Sequence, residues 1–344
     1  MRVVVVGASG NVGTALLRRL ATEPVVTSVV AVARHVPRAD GSSTVRFPHD
    51  TATWRYADVT QADAATRLGT AFDGADVVVH LAWADRGGQG RRRANVDGTR
   101  AVVAAARHAG VAHLVVASSV AACSPAPYAG DARDVPVSEG WPVRGASGAP
   151  HAQDKAAVEA LLDDVDRTDG IVVSRVRSPL VLQRDAASQI ARDLLGPVVT
   201  RALRRSPLES VRVPEGLRFQ VVHADDLAEA YARIVVGRHP GPFNVAHPTV
   251  LGPQDVADVV ADGHLEQVPY GSVRTAVRLA RAARLVPVGA DWLDMSMRVP
   301  VLDTGLARER LRWTPVHDAR DTLAELVDGV RAGAGTSSPP LLPR

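Results

Sequence analysis

Gly7, Gly10 and Gly13 recur at a spacing of three directly after the apolar run Val3-Val4-Val5-Val6. An unbroken apolar run of this kind marks a strand buried on both faces in a parallel sheet. Thr14 to Leu20 reads as a helix, so Gly7-Ala8-Ser9-Gly10-Asn11-Val12-Gly13 is a strand-to-helix turn. Such a turn suits the diphosphate of a dinucleotide: the glycines let the backbone come close, and the helix N-terminus offers free N–H groups. About 20 residues beyond the turn, an NAD-binding unit carries an acid for the ribose hydroxyls. Here the apolar run Val25 to Val32 leads into Ala33-Arg34-His35, with Arg38 beyond it. Arginine at that point suits a 2′-phosphate, so the expected cofactor is NADP, with NAD as the alternative. Lys155 is the single lysine; every other basic residue apart from the histidines is arginine. A lone ammonium in such a chain marks a place where a compact point charge serves and a guanidinium fork does not.

Composition narrows the class. The chain has 344 residues, 46% of them hydrophobic, and a net charge of +3. That length accommodates two modest domains, or one dinucleotide fold with an annex. No apolar run is long enough to span a bilayer. No charged-then-apolar leader precedes the first strand, so the expectation is a cytoplasmic protein without membrane contact. Cys123 is the only cysteine, which rules out an intrachain disulfide and a cysteine-based zinc site. The histidines lack ligand spacing, and no metal is expected. Arg91-Arg92-Arg93 is the densest basic cluster and has no aromatic neighbours. It reads as a solvated loop or a phosphate contact rather than a nucleic-acid surface.

The elements that must position these residues alternate. Strands are expected at Val25 to Val32, Trp54 to Val59, Val77 to Trp83, His113 to Ala117 and Ile171 to Val176, with helices at Asn95 to His108 and His151 to Val165. Alternation of this kind argues an α/β fold with a doubly wound parallel sheet. Residues 124–150, rich in Pro, Gly and Ser, are too long for a plain connection and are expected to form a functional loop over the site. Beyond Pro179 the pattern loosens. A helix is expected over 190–204, a strand over 219–223, a helix over 227–236 capped by Asp225-Asp226, a strand over 243–245 and five helices between 254 and 331. The expected organisation is a dinucleotide-binding domain over 1–178, to which 219–246 returns. A smaller mixed substrate-binding annex takes 179–218 and 247–331, and 332–344 form a disordered tail. His223 reads as a core histidine, and Arg177 as either a substrate-phosphate ligand or the partner of an acid.

Taken together, Gly7-Ala-Ser-Gly10-Asn-Val-Gly13, Asp58-Val59, His80-Leu-Ala-Trp83, Asn95-Val-Asp-Gly-Thr99, Ser118-Ser119, the helix around Lys155, Arg177-Ser-Pro179, Val222-His-Ala-Asp-Asp226 and Trp313-Thr-Pro315 resemble the extended short-chain dehydrogenase/reductase family. The branch is that of the NAD-dependent epimerases and dehydratases, and the likeness runs to about Val330. The resemblance implies a Rossmann sheet and a soluble oxidoreductase or epimerase/dehydratase-like enzyme, acting on a hydroxyl or carbonyl of a small polar or natural-product-like molecule. It implies that Asp58 bonds the adenine amine with Val59 beside it. Leu81, Ala82 and Trp83 would line the ribose and diphosphate, and Pro179, in the segment after Arg177, would border the nicotinamide. Dimerisation through the helices beginning near Asp97 and His151 is the family's usual mode.

The family's catalytic set is a Ser or Thr, a Tyr and a Lys, the last two one helical turn apart on one face. By that resemblance Ser119 takes the first place and Lys155 the last, where it also holds the cofactor ribose. His151 stands where the tyrosine is expected. Three readings follow. His151 can replace the tyrosine as acid/base, since imidazole exchanges protons near neutrality. Tyr128 can supply the proton instead, with Asp131 or Asp134 behind it. Or hydride chemistry is lost, leaving a non-redox cyclase, lyase or isomerase, or a redox-silent regulator that senses the cofactor.

Overall fold

The computed structural model describes residues 1–37, 45–84, 89–127, 130–168, 170–205 and 208–343. Arg38 and Tyr128 lie outside the described residues. The strands are β1 (Arg2–Val6), β2 (Ser28–Ala33), β3 (Thr53–Tyr56), β4 (Val77–His80), β5 (His113–Ala117), β6 (Val172–Arg177), β7 (Leu180–Leu182), β8 (Val211–Pro214), β9 (Val221–His223), β10 (Gly241–Asn244) and β11 (Leu265–Val268). The helices are α1 (Asn11–Leu20), α2 (Ala64–Phe72), α3 (Gln89–Arg92), α4 (Gly98–His108), α5 (Pro150–Thr168), α6 (Ala187–Ile190), α7 (Gly196–Arg205), α8 (Ala224–Gly237), α9 (Pro253–Val260), α10 (Tyr270–Ala282), α11 (Ala290–Ser296), α12 (Gly305–Leu311) and α13 (Ala319–Ala332).

The valines of β1 decide the architecture. Side chains alternate across a strand, so a strand apolar at every position must be covered on both faces. Val3 and Val5 pack with Leu16, Leu17 and Leu20 of α1 and Leu227, Tyr231 and Ile234 of α8. Val4 and Val6 pack on the other face with Leu68 and Phe72 of α2, Val102 of α4 and Leu162 of α5. The resulting sheet is parallel, in the order β10-β6-β5-β4-β1-β2-β3, as the alternating pattern required. Beside it, β7 pairs with β9 and β8 with β11. Leu182, Leu203, Leu251, Leu326 and Val330 form a separate apolar cluster there.

A buried ion pair ties α5 to the sheet. Arg177 of β6 forks onto Glu159 of α5, Nε to Oε1 at 2.8 Å and Nη2 to Oε2 at 2.6 Å, with 4% and 2% of the side chains exposed. Ser118 donates to the same carboxylate. Arg177 is therefore the partner of an acid. Burial at this corner pushes the Cys123 thiol up to about 11, which makes the one cysteine an inert core group.

Four sequence expectations change. Residues 190–204 do not form one helix: a π-helical turn over Ala191–Leu195 follows α6, and Gly196 at φ +75° redirects the chain before α7. The Arg91-Arg92-Arg93 cluster is not a loop, because Arg91 and Arg92 bond the buried Asp154 of α5 at 2.9 and 3.2 Å. Asp225 and Asp226 do not cap α8 with their side chains. The His223 ring accepts the Asp225 N–H at 3.2 Å, while Asp225 pairs with Arg18 and Asp226 accepts the N–H groups of Val316 and His317. Finally, the expected disordered tail is ordered. Ser338 donates to the Ser9 carbonyl at 2.7 Å, and both Ser338 and Leu341 are fully buried. Pro339 and Pro340 bring no N–H groups that would need partners, so composition misleads here.

Three core histidines give the fold a pH dependence. Burial holds His49 and His113 down to about 4 and His80 to about 3. The unfolded chain takes up these protons near pH 6.5 and the folded chain only near 3–4, so the stability is whole above about 6.5 and is lost as pH falls through this window. The three together contribute up to about 4 kcal/mol per pH unit between pH 6 and 4. Urea unfolding at pH 7.5 and 5.5 is expected to give a clearly lower midpoint at 5.5; equal midpoints would contradict the neutral burial of these rings. A second expectation concerns the ion pair. Glu159→Leu strands a buried guanidinium and should cost about 3–5 kcal/mol in urea unfolding, much of it recovered in Glu159→Leu/Arg177→Met. A double variant no more stable than the single one would refute that account.

Candidate active site

Backbone proximity builds the cleft. Gly7 has φ +89°, and a Cβ on it would lie 2.5 Å from the Ala82 nitrogen. Gly13 is packed as closely against the β1–α1 turn, where a Cβ would meet the Ala8 oxygen at 2.5 Å. Only glycine permits these approaches. Gly10 differs: a Cβ there would find just the Gly7 oxygen at 3.5 Å, an ordinary contact. Nothing among the described residues requires glycine at that position, and the space it leaves opens toward a cleft of about 700 Å³.

That cleft is lined by Gly7, Ser9, Gly10, Asn11, Val12 and Gly13 at one end. Arg34, Asp58 and Val59 line it at the ends of β2 and β3, and Leu81, Ala82 and Trp83 line it after β4. Each of these was singled out from the sequence. No side chain among the described residues caps α1, whose first turn carries no acid, so the end of the helix that faces the cleft stays positive. An open glycine position, an uncapped helix N-terminus and an arginine at the β2 end together fit a dinucleotide. Asp58 is braced by Thr60, whose N–H and hydroxyl donate to Oδ1 at 2.9 and 2.7 Å. Burial raises the Asp58 pKa, but the Thr60 bonds and the nearby Arg34 outweigh it and hold the carboxylate below its usual range.

The remaining candidates gather beyond Trp83. The Lys155 ammonium lies 3.6 Å from the centroid of the Trp83 ring and donates to the Ala117 carbonyl at 2.9 Å. The Trp83 indole N–H points at His151 Nδ1, 3.4 Å away, and the two rings meet edge to face at 5.6 Å. One indole thus contacts both α5 residues, its face toward the cation and its polar edge toward the imidazole. Ser119, just past β5, accepts the Ala121 N–H at 3.2 Å and caps a short turn. An oxygen that accepts there leaves its own hydrogen to be donated elsewhere. Ser119, His151, Lys155 and Pro179 lie outside the residues lining the cleft. Asp134, named behind Tyr128, is engaged with Arg218 at 2.9 Å.

Sequence reasoning missed several lining residues: His35, Thr60, Gln189, Arg192, Asp193, Pro339 and Pro340. His35 and Thr60 directly follow residues that were named, and strand-end position was the available signal. The others come from the annex and the tail, where no motif marks them. The fold also gathers His223, Asp225 and His317, whose ligand-type atoms lie within 4.8 Å of one another, a grouping invisible in their spacing. His223 Nδ1 takes the Asp225 N–H, His317 Nδ1 lies 2.9 Å from Asp226 and Asp225 pairs with Arg18. These groups cap and anchor α8.

Comparison with known proteins follows the same lines. The family model described as NAD dependent epimerase/dehydratase family matches residues 3–246. A 2′-dehydrokanamycin reductase of Streptomyces kanamyceticus is 30% identical over 293 residues, covering 78% of this chain and 72% of that protein. An uncharacterized protein of Mycobacterium tuberculosis is 27% identical over 340 residues, or 97% of this chain, and the chain spans 31% of that relative's length. Among solved structures, the dTDP-glucose 4,6-dehydratase DesIV of Streptomyces venezuelae, with NAD and TYD bound, superimposes with a TM-score of 0.71 at 19% identity, covering 96% of this chain and 97% of that one. The UDP-glucose 4-epimerase of Thermus thermophilus, in complex with NAD, gives 0.67 at 18% identity, covering 97% and 100%. With its glycine turn, Trp83 and the helix bearing His151 and Lys155 all inside the matched span, the chain belongs to the NAD dependent epimerase/dehydratase family.

Proposed function

We propose that this protein is an NADP-preferring oxidoreductase that reduces a carbonyl, or oxidises the matching hydroxyl, in a small polar natural-product-like substrate, with His151 in place of the usual tyrosine. The observation that carries this reading is the shared contact of His151 and Lys155 with Trp83, at the edge of the cleft that fits a dinucleotide. Family membership supports an NAD(P)-dependent oxidoreductase-like enzyme, and a relative named as a reductase supports carbonyl reduction within that class. Solved neighbours hold NAD, whereas Arg34 at the end of β2 favours a 2′-phosphate here.

When bound, a nicotinamide dinucleotide supplies or takes up the hydride. The chain's own residues do the rest. The N-terminus of α1 holds the diphosphate, Asp58 the adenine and Arg34 the 2′-phosphate. Lys155, seated on Trp83 and tethered to Ala117, keeps its ammonium fixed toward the ribose. Ser119 donates its hydroxyl hydrogen to the substrate oxygen. Trp83 is a pure donor, so the nitrogen it faces on His151 must accept, and the neutral ring carries its proton on Nε2. That N–H hydrogen-bonds the oxygen that gains negative charge as the hydride arrives and keeps its proton, because losing it would leave an imidazolate; the proton that completes the hydroxyl comes from solvent. Imidazole reaches less far than a phenol, so the substrate has to sit closer to α5.

Two measurements test this. Fluorescence titration should find NADPH bound about 10–100-fold more tightly than NADH, the difference collapsing in Arg34→Ala, in line with the loss of one charge-assisted contact. Preference for NADH would demote Arg34 to a surface residue. His151→Phe should lower turnover about 10²–10⁴-fold while the cofactor dissociation constant barely moves, with partial rescue in His151→Tyr. A Phe variant that turns over at the wild-type rate would remove His151 from the chemistry.

A further inference from the structure

Two pieces of chain distant in sequence line the cleft together with the glycine turn. One is the π-helical turn Ala191–Leu195, which brings Arg192 and Asp193 to the lining. The other is the stretch after α13, which brings Pro339 and Pro340. They are fastened to each other and to the turn. The Ser188 N–H donates to the Ala334 carbonyl at 3.1 Å, Ser338 to the Ser9 carbonyl at 2.7 Å and Arg192 Nη2 to the Pro340 carbonyl at 3.0 Å. From the same side, the Gln183 amide donates to the Asn11 carbonyl and side-chain oxygens at 3.0 and 2.7 Å. The wall is a built structure, anchored through a serine with no solvent exposure.

The charges on this wall have a direction. Among the described lining residues, Arg34 and Arg192 are the guanidinium groups. Arg34 sits at the end of β2, where the adenosine ribose belongs in a dinucleotide unit. Arg192 comes from the π-helical turn Ala191–Leu195 and has no part in the reading given above. Its Nε lies 3.2 Å from Asp193 and its Nη2 is fixed by a backbone carbonyl, which holds the planar group in one orientation. A guanidinium pinned in this way, in a cleft that is also lined by an uncapped helix N-terminus, suits an anion.

We infer that Arg192, held by the strap of residues 334–341, binds a phosphate of the dinucleotide. The strap that fixes Arg192 and the glycine turn together slows cofactor release. The inference rests on the dinucleotide reading of the cleft.

The test is equilibrium and stopped-flow fluorescence with NADPH and NADH on the full chain, comparing wild type, Arg192→Met and Ser338→Ala, with urea unfolding as the check on folding. Arg192→Met should weaken cofactor about 10–100-fold with an unchanged unfolding midpoint, the size of one charge-assisted contact. Equal losses for both cofactors assign the contact to the diphosphate; a loss confined to NADPH assigns it to the 2′-phosphate. Ser338→Ala, which keeps Arg192, should raise the NADPH dissociation rate several-fold. Unchanged affinity in Arg192→Met, in a wild type that binds NADPH, overturns this inference and leaves the reading of the cleft standing. No binding of either dinucleotide by wild type overturns both.

Discussion

Where Gly7 meets Ala82, two stretches of main chain touch with no room for a side chain between them. The end of β1 and the end of β4 are thereby locked in register, which aims the chain after β4 along the floor of the cleft. Trp83 is the next residue, and its ring reaches Lys155 and His151. The glycine turn and the α5 residues His151 and Lys155 are joined through this backbone contact, because a shift of Ala82 would carry the indole away from both α5 side chains. Dense interiors transmit displacement in this way.

The other half of the constraint is α5. Its residues on one face contact different segments: His151 meets Trp83, Asp154 takes Arg91 and Arg92, Lys155 reaches Ala117 and Glu159 takes Ser118 and Arg177. The spacings of three and four residues are those of one helical face. Two of these four α5 residues are buried acids, costly to bury and tolerated because guanidinium groups satisfy them. The helix is held at several depths, so His151 and Lys155 are placed by an element with little freedom to slide.

Much of this was readable in advance. β5 falls on His113–Ala117 as its pattern required; among the lining residues, Gly7 to Gly13 and Arg34 were named from glycine spacing and strand position, and Asp58, Val59 and Leu81 to Trp83 from the family resemblance. Those features are local, and a motif in chain order can carry them. β8 and β11 escaped notice because Val211–Pro214 and Leu265–Val268 mix apolar with exposed charged residues and form a separate two-stranded ribbon. The partners of Asp154 were hidden because the Arg91-Arg92-Arg93 cluster shows charge but not which acid the fold delivers to it. The wall built by Arg192 and Pro340 depends on contacts between segments about 150 residues apart, which no periodicity encodes.

The Ser338–Ser9 bond joins residues 329 positions apart. Proteins are made from one end, at about 5–20 residues per second, so roughly 15–65 s separate the synthesis of the glycine turn from that of the serine that locks it. Throughout that interval the first strand, turn and helix exist on the ribosome with part of the lining of their cleft still unmade. The cleft is therefore lined by residues made tens of seconds apart, and a chain interrupted after α13 would carry the turn without its lock.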